Sequence, residues 1–351
     1  MYHMGHDFKN TGIASSTIHQ GWKEWFGKIF TQKTALFIIK WGFILFSGWY
    51  LYAHVIRNAR FADIIALAHS ILQNPASVWL LSFCITLVFV NWGIEALKWQ
   101  FLIKKLADIS FYTSFKAIFS GTTVSLVMPN RVGEYMGRVL FLEHGKRVRG
   151  IFATFVGSIA QLVVTLIMGT VGFIYYEKTF HFPFIISFAS VVAAILFIGF
   201  TLFFYFNIRS LRGMIPARKW ARPLRKYLKV YRLYNRPELE RIFAYSLLRY
   251  FVFSVQFYLL MVFFGIHIPF IEAMLLIFLM YLVQTIYPTA GITELMVRGA
   301  ATGFIFAGHS SNVTALLAAS YGIWLINLLL PAMVGAAVLG LARTQKRFRA
   351  A

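Results

Sequence analysis

The amino-acid sequence predicts an all-α polytopic membrane protein, and three observations lead there. Of 351 residues, 59% are hydrophobic and only 13% are charged, with a mean hydropathy of +0.68, outside the range of soluble globular chains. Apolar runs of about 20 residues recur, the length a helix needs to cross roughly 30 Å of hydrocarbon. The formal charge of +22 is gathered into short stretches between those runs, as the positive-inside rule asks of cytoplasmic loops.

The elements follow in order. Residues 1–20 are polar. In 21–31 (GWKEWFGKIFT), Trp22, Trp25, Phe26, Ile29 and Phe30 fall at i, i+3, i+4, i+7 and i+8, which predicts an amphipathic helix in the cytoplasmic interface. A first span over 34–55 leads outside. Phe61, Ile64, Ile65, Ala68 and Leu72 then predict a short amphipathic helix over 61–73 on the outer surface. No cleavable signal peptide is expected, because the first long apolar run starts late, near Ala35, and no small-residue cleavage site follows it.

A second span, 76–98, returns to the side marked by Lys98, Lys104 and Lys105. Basic residues flank both ends of 111–145, so that segment enters and leaves on one side. Its arm 113–128 is about 24 Å long if helical. Its arm 131–145 carries Arg131, Glu134, Arg138, Glu143 and His144 and is too polar to face lipid. A re-entrant hairpin with Pro129 at its tip fits, provided that protein or water covers the broken backbone.

Residues 150–176 lead out and 184–207 lead back to a basic loop, 208–241. From Arg209 to Arg241 that loop holds eleven basic side chains against Glu238 and Glu240. Nucleic-acid binding is one reading of such a patch; a cytoplasmic loop facing anionic lipid is the other, and it is the one adopted, with no nucleic-acid partner. Residues 242–265 lead out, 270–287 enter from outside and break at Pro288, and 291–307 return outward. The last span, 313–341, ends at the basic tail 343–351. The expectation is six full spans plus two oppositely oriented re-entrant hairpins in the cell (inner) membrane, with both termini cytoplasmic. The halves 76–207 and 242–342, with hairpins 111–145 and 270–307, would form an inverted repeat, a common transporter architecture.

Both hairpins carry the same device. Pro129, Gly133, Glu134 and Arg138 stand in the first, and Pro288, Gly291, Glu294 and Arg298 in the second. Each Glu and Arg lie at i,i+4 on one helix face, where they can pair. Pro and Gly supply the break and the helix start. Charges in hydrocarbon cost about 2.5–3.5 kcal/mol each, so such residues point to function. Helix N-termini at the midplane, with Arg131, Arg138 and Arg298 nearby, would suit a phosphate. Glu134 and Glu294 would counter-charge the arginines or exchange protons. The alternative is that each Glu–Arg couple is a buried ion pair that pins its hairpin tip. Asn91, Glu95 and Lys98 form a polar stripe on the second span, and the Glu95/Lys98 couple either snorkels or pairs at the inner interface. Gln161, Arg249 and Gln284 read as interhelical hydrogen-bonding residues.

No GxxxxGK, HExxH or CxxC is present, and Cys84 is the one cysteine. Neither a P-loop pump, a metal site nor a cofactor is expected.

The segments NWGIEALKW (91–99), SLVMPNRVGEYMGR (125–138) and YPTAGITELMVR (287–298) resemble the transmembrane region of lysylphosphatidylglycerol synthases, also called the flippase-like or UPF0104 family. The resemblance covers roughly 76–341. It implies movement of a lipid or lipid-linked precursor between leaflets, with Pro129, Arg131, Gly133, Glu134 and Arg138 in the first motif and Pro288, Gly291 and Glu294 in the second. Many relatives carry charges in the span after the first motif, whereas here it reads FVGSIAQLVV (155–164). The synthases append a soluble aminoacyl-transfer domain; only about ten residues follow the last span here, so lipid aminoacylation is not expected. The expected function is transbilayer movement of an anionic lipid or lipid-linked headgroup. The rivals are an integral-membrane enzyme acting on lipid phosphates and a scaffold that anchors a synthase through the basic loop.

Overall fold

The computed structural model describes Trp49 and residues 75–127, 132–179, 184–207, 229–286, 292–310 and 312–350, of which 184–186, 292–293 and 341–350 by backbone alone. The predicted interfacial helix 21–31, the first span apart from Trp49, the outer helix 61–73, the two hairpin tips and 208–228 lie outside these residues. Within them every regular element is helical. Five helices are long and apolar enough to cross a membrane: Pro75–Ile103, His144–Thr179, Ser187–Asn207, Arg236–Phe263 and Val313–Gly340.

Helix α1 spans Pro75–Ile103. Ser110, whose hydroxyl accepts from the Thr113 N–H at 3.2 Å, starts α2, Phe111–Val127. The return arm α3 is shorter than expected, Val132–Val139, against a predicted arm over 131–145. The chain turns after it through Phe141 and Leu142, whose N–H groups bond back to Arg138 and Val139. That turn buries Leu142 at 4% exposure. Helix α4 is Arg147–Thr179, and α5 is Phe184–Asn207.

Helix α6 runs over Arg236–Phe263 and starts six residues before the predicted span, inside what reads as basic loop. Asn235 and Glu238 form a reciprocal capping box that fixes this start. The helix ends at Gly265, with φ +78°. There the Gly265 and Ile266 N–H groups bond the Val262 and Met261 carbonyls, a Schellman closure. Helices α7, Phe270–Ile286, and α8, Ile292–Phe306, are the arms of the second hairpin. Helix α9, Val313–Trp324, is capped by Asn312 and passes through a π-helical turn, Leu325–Leu329, into α10, Leu330–Ala350.

The apolar core falls into two clusters. One joins side chains of α1 to α4 with Tyr205, Tyr231, Tyr234 and Leu239, and the other joins α6 to α9 with Cys84 and Val164. Antiparallel α1 and α6 form the seam between them. Gln256 donates to the Cys84 carbonyl at 3.0 Å, and one end of the seam is polar. Helices α2 and α7 each pack on a helix far away in sequence. Helix α2 packs on α10, where the Thr123 hydroxyl donates to the Ala332 carbonyl at 2.7 Å. Helix α7 packs on α4, where Gly172 leaves no room for a Cβ against the Leu279 N–H, 2.8 Å away. The arms of the first hairpin touch backbone to backbone: a Cβ on Gly137 would meet Gly121 Cα at 2.6 Å. That contact sets where the polar side chains of α3 arrive.

Candidate functional site

Glu95 is the hub of a buried charge cluster. Its side chain is 4% exposed. One oxygen, Oε1, accepts from Arg138 Nη1 at 2.8 Å. The other, Oε2, lies 2.7 Å from Lys98 Nζ and 3.3 Å from Arg249 Nη1. Arg138 also holds Glu134, one helical turn before it on α3. Lys98 donates onward to Ser246 Oγ at 3.5 Å. Three elements therefore meet at one carboxylate: α1 brings Glu95 and Lys98, α3 brings Arg138 and Glu134, and α6 brings Arg249.

The local sequence explains the convergence. Glu95 and Lys98 share a face of α1 at i,i+3, and Glu134 and Arg138 share a face of α3 at i,i+4. Gly121 and Gly137 let α3 press against α2 closely enough for Arg138 to reach inward. The α1–α6 seam places Arg249 opposite Glu95, and its guanidinium also stacks on the Trp92 ring, 5.3 Å from the centroid.

The cluster holds three cations against two carboxylates, a formal excess of one positive charge. Charges taken out of water cost several kcal/mol each and persist only when paired. Here pairing is incomplete: Glu95 Oε2 has its close cations but accepts no hydrogen bond among the described residues. Arg138 Nε, Arg249 Nε and Trp92 Nε1 are buried donors with no acceptor among the described residues. The cluster is open where Arg249 and Glu134 reach outward, at 24% and 30% side-chain exposure. Buried N–H groups without acceptors, a positive excess and an open edge together fit an anion rich in acceptor oxygens.

The predicted residues distribute as follows. Glu134 and Arg138 pair as their spacing requires. Glu294 and Arg298 pair at 3.6 Å in α8, buried at 8% and 5% exposure. Thr302 links that arm to α9 through Ser320, 2.8 Å away. Glu95, read as snorkelling or pairing at the interface, is buried and central, so pairing is what occurs. It lies eight residues from the Ile103 end of α1, about 12 Å at 1.5 Å per residue, and so toward that end rather than at the helix centre. Arg249, read as an interhelical hydrogen-bond donor, is an ion-pair partner instead. Asn91 donates to Asn327 Oδ1 at 3.1 Å. Gln161 Oε1 and Gln284 Nε2 have no hydrogen-bond partner among the described residues. Gly133 is buried where a Cβ would strike the Ser125 N–H at 2.8 Å. Pro129, Arg131, Pro288 and Gly291 lie outside the described residues.

Four participants were not singled out in the sequence. Trp92 gave no signal beyond its place in NWG. Asn327 is a lone amide in the last apolar run beside Pro331, which is a usable signal. Glu272 and His309 pair at 3.0 Å at the opposite end of α7, a contact across 37 positions that no local pattern announces. Among the described residues no group of three or more His, Cys, Asp or Glu is placed to hold a metal.

Neither the comparison with curated proteins nor that with solved structures returned a match. Residues 34–308 match the family model described as the lysylphosphatidylglycerol synthase TM region, and the chain belongs to that family.

Proposed function

We propose that this protein moves an anionic, phosphate-bearing lipid or lipid-linked headgroup between leaflets, and that the Glu95 cluster receives the anion. The carrying observation is the set of acceptor-less donors on Arg138, Arg249 and Trp92 beside a one-charge positive excess. Arg131, Arg138 and Arg249 would hold the anion from the first hairpin and the seam, with Arg298 acting from the second hairpin. Glu134 and Glu294 would return to their arginines when the site empties. Pro129, Gly133, Pro288 and Gly291 would shape the two tips. Asn91, Gln161 and Gln284 would be secondary contacts along the path. The family match is to a membrane region, and the reading adopted is that of a transporter.

The architecture proposed for this task is an inverted repeat of six spans and two opposed hairpins, with both termini cytoplasmic. The crossed packing supports it: α2 on α10 and α7 on α4 are equivalent contacts under exchange of the two halves. The division into a basic loop and two halves is part of the same proposal.

The test is reconstitution of the purified chain into liposomes carrying fluorescent phosphatidylglycerol or fluorescent ceramide, which has no phosphate. Relative to protein-free liposomes, wild type should accelerate leaflet exchange of the phosphate-bearing probe more than that of ceramide. Glu134→Gln and Glu294→Gln should each slow the accelerated exchange by about tenfold, the scale of one lost hydrogen bond to a charged group. Equal acceleration of both probes, or no effect of either substitution, defeats the proposal.

A further inference from the structure

The last membrane span is not one helix mechanically. Its α9 half is bound to the second hairpin, through Thr302 of α8 and Ser320, whose hydroxyls lie 2.8 Å apart. Its α10 half is bound to the first hairpin, through the hydrogen bond from Thr123 of α2 to the Ala332 carbonyl and the close approach of Gly335 to α2. Between them lies the π-helical turn Leu325–Leu329. Pro331, which has no N–H, follows two residues later, so the Asn327 carbonyl loses the partner that an α-helix would supply. Helices bend at such places for these two reasons.

The turn also has a catch. Asn327 is buried at 4% exposure, and its side chain accepts from Asn91 of α1, itself 1% exposed. Asn91 stands one turn from Glu95, about 6 Å along α1. The bond uses half of each amide: among the described residues Asn91 Oδ1 and Asn327 Nδ2 have no hydrogen-bond partner. An amide pair held by one bond can release and re-form without stranding a charge.

We infer that the π-turn is a hinge, that the two halves of the last span move with opposite hairpins about it, and that the Asn91–Asn327 bond latches this hinge to the helix carrying the Glu95 cluster. Asn327 and Pro331 are then positioning residues that couple the hairpins without touching the transported lipid. The coupling role rests on the transport proposal; the hinge itself does not.

Hydrogen exchange of the full chain in detergent, followed by mass spectrometry, reads the hinge with no lipid substrate present. Amides in 325–330 should exchange at least about tenfold faster than those in 315–323 and 333–339. Pro331→Ala restores an N–H able to bond the Asn327 carbonyl and should slow exchange in 325–330. Asn327→Leu should speed it. In liposomes carrying fluorescent phosphatidylglycerol, Pro331→Ala should slow leaflet exchange at least fivefold, on the order of the coupling expected of a shared two-state element, while the thermal midpoint does not fall. Uniform protection across 313–340 in wild type overturns the hinge. A Pro331→Ala protein with slowed amide exchange and undiminished lipid exchange overturns the coupling. A wild type that exchanges no lipid defeats the transport proposal and leaves the hinge to be decided by the amide pattern.

Discussion

A carboxylate sealed from water with three cations around it stands on a balance that single substitutions upset. Removing one partner of a buried ionic group costs about 3–5 kcal/mol, because the charges left behind stay buried, whereas removing a whole pair is often neutral. Glu95→Gln raises the formal excess of the cluster from one positive charge to two. It should lower the thermal unfolding midpoint in detergent by several degrees. The double variant Glu95→Gln/Lys98→Met returns the excess to one and should recover most of that loss. A double variant less stable than Glu95→Gln alone means that Lys98 does more than balance Glu95. At this scale the sequence was legible only where partners are neighbours. Glu134 and Arg138 announce each other by spacing. Glu95 and Arg138 stand 43 positions apart, and only the folded hairpin joins them. Charge balance was the available clue to the rest: an arginine such as Arg249 inside an apolar span needs a carboxylate, and Glu95 stands at a matching depth in the antiparallel α1.

The hairpins are built on missing side chains. Where α2 and α3 touch, Gly137 faces the Gly121 backbone at a distance that no Cβ tolerates. Gly137→Ala must push the arms apart and draw Arg138 away from Glu95, at a cost of about 1–3 kcal/mol for overpacking. Gly93→Ala is the control. No described residue lies within 4 Å of its would-be Cβ, and alanine is the better helix former by about 1 kcal/mol. Thermal midpoints should therefore move in opposite directions, down for Gly137→Ala and level or up for Gly93→Ala; a fall of equal size in both removes the close-approach argument. Apolar runs marked the five membrane-length helices among the described residues, since hydropathy is local. Ends set by tertiary demand were harder. The return arm stops at Val139 so that Leu142 can turn inward, and α6 begins early because Asn235 and Glu238 cap it.

Across the whole molecule the two cores meet at the α1–α6 seam, and the polar cluster lies at one end of it. The topology then assigns faces. In the proposed arrangement Lys104, Gly145 and Arg236 would sit on one side of the membrane, and His267 and Ser310 on the other. Cysteines placed singly at these positions in a Cys84→Ser background should react with an impermeant maleimide from opposite sides of sealed vesicles, the first three from the side that also holds the basic loop. Labelling of Lys104→Cys and His267→Cys from the same side excludes the proposed arrangement. The mutual clasp of the halves was only partly readable. Hydropathy predicts two hairpins of opposite entry, but the choice of α10 under α2 and α4 under α7 depends on glycines whose partners lie far away in sequence.

Arg249 offers the most direct test of the central claim, that the positive excess around Glu95 receives a phosphate. It is the most exposed cation of the cluster, it pairs with Glu95 from outside the hairpin at 3.3 Å, and its Nε–H has no acceptor among the described residues. Arg249→Gln should leave the fold intact and lower leaflet exchange of fluorescent phosphatidylglycerol in liposomes by roughly ten- to a hundredfold, the value of one or two charged hydrogen bonds, while exchange of ceramide stays unchanged. A folded Arg249→Gln protein that exchanges phosphatidylglycerol as fast as wild type contradicts it.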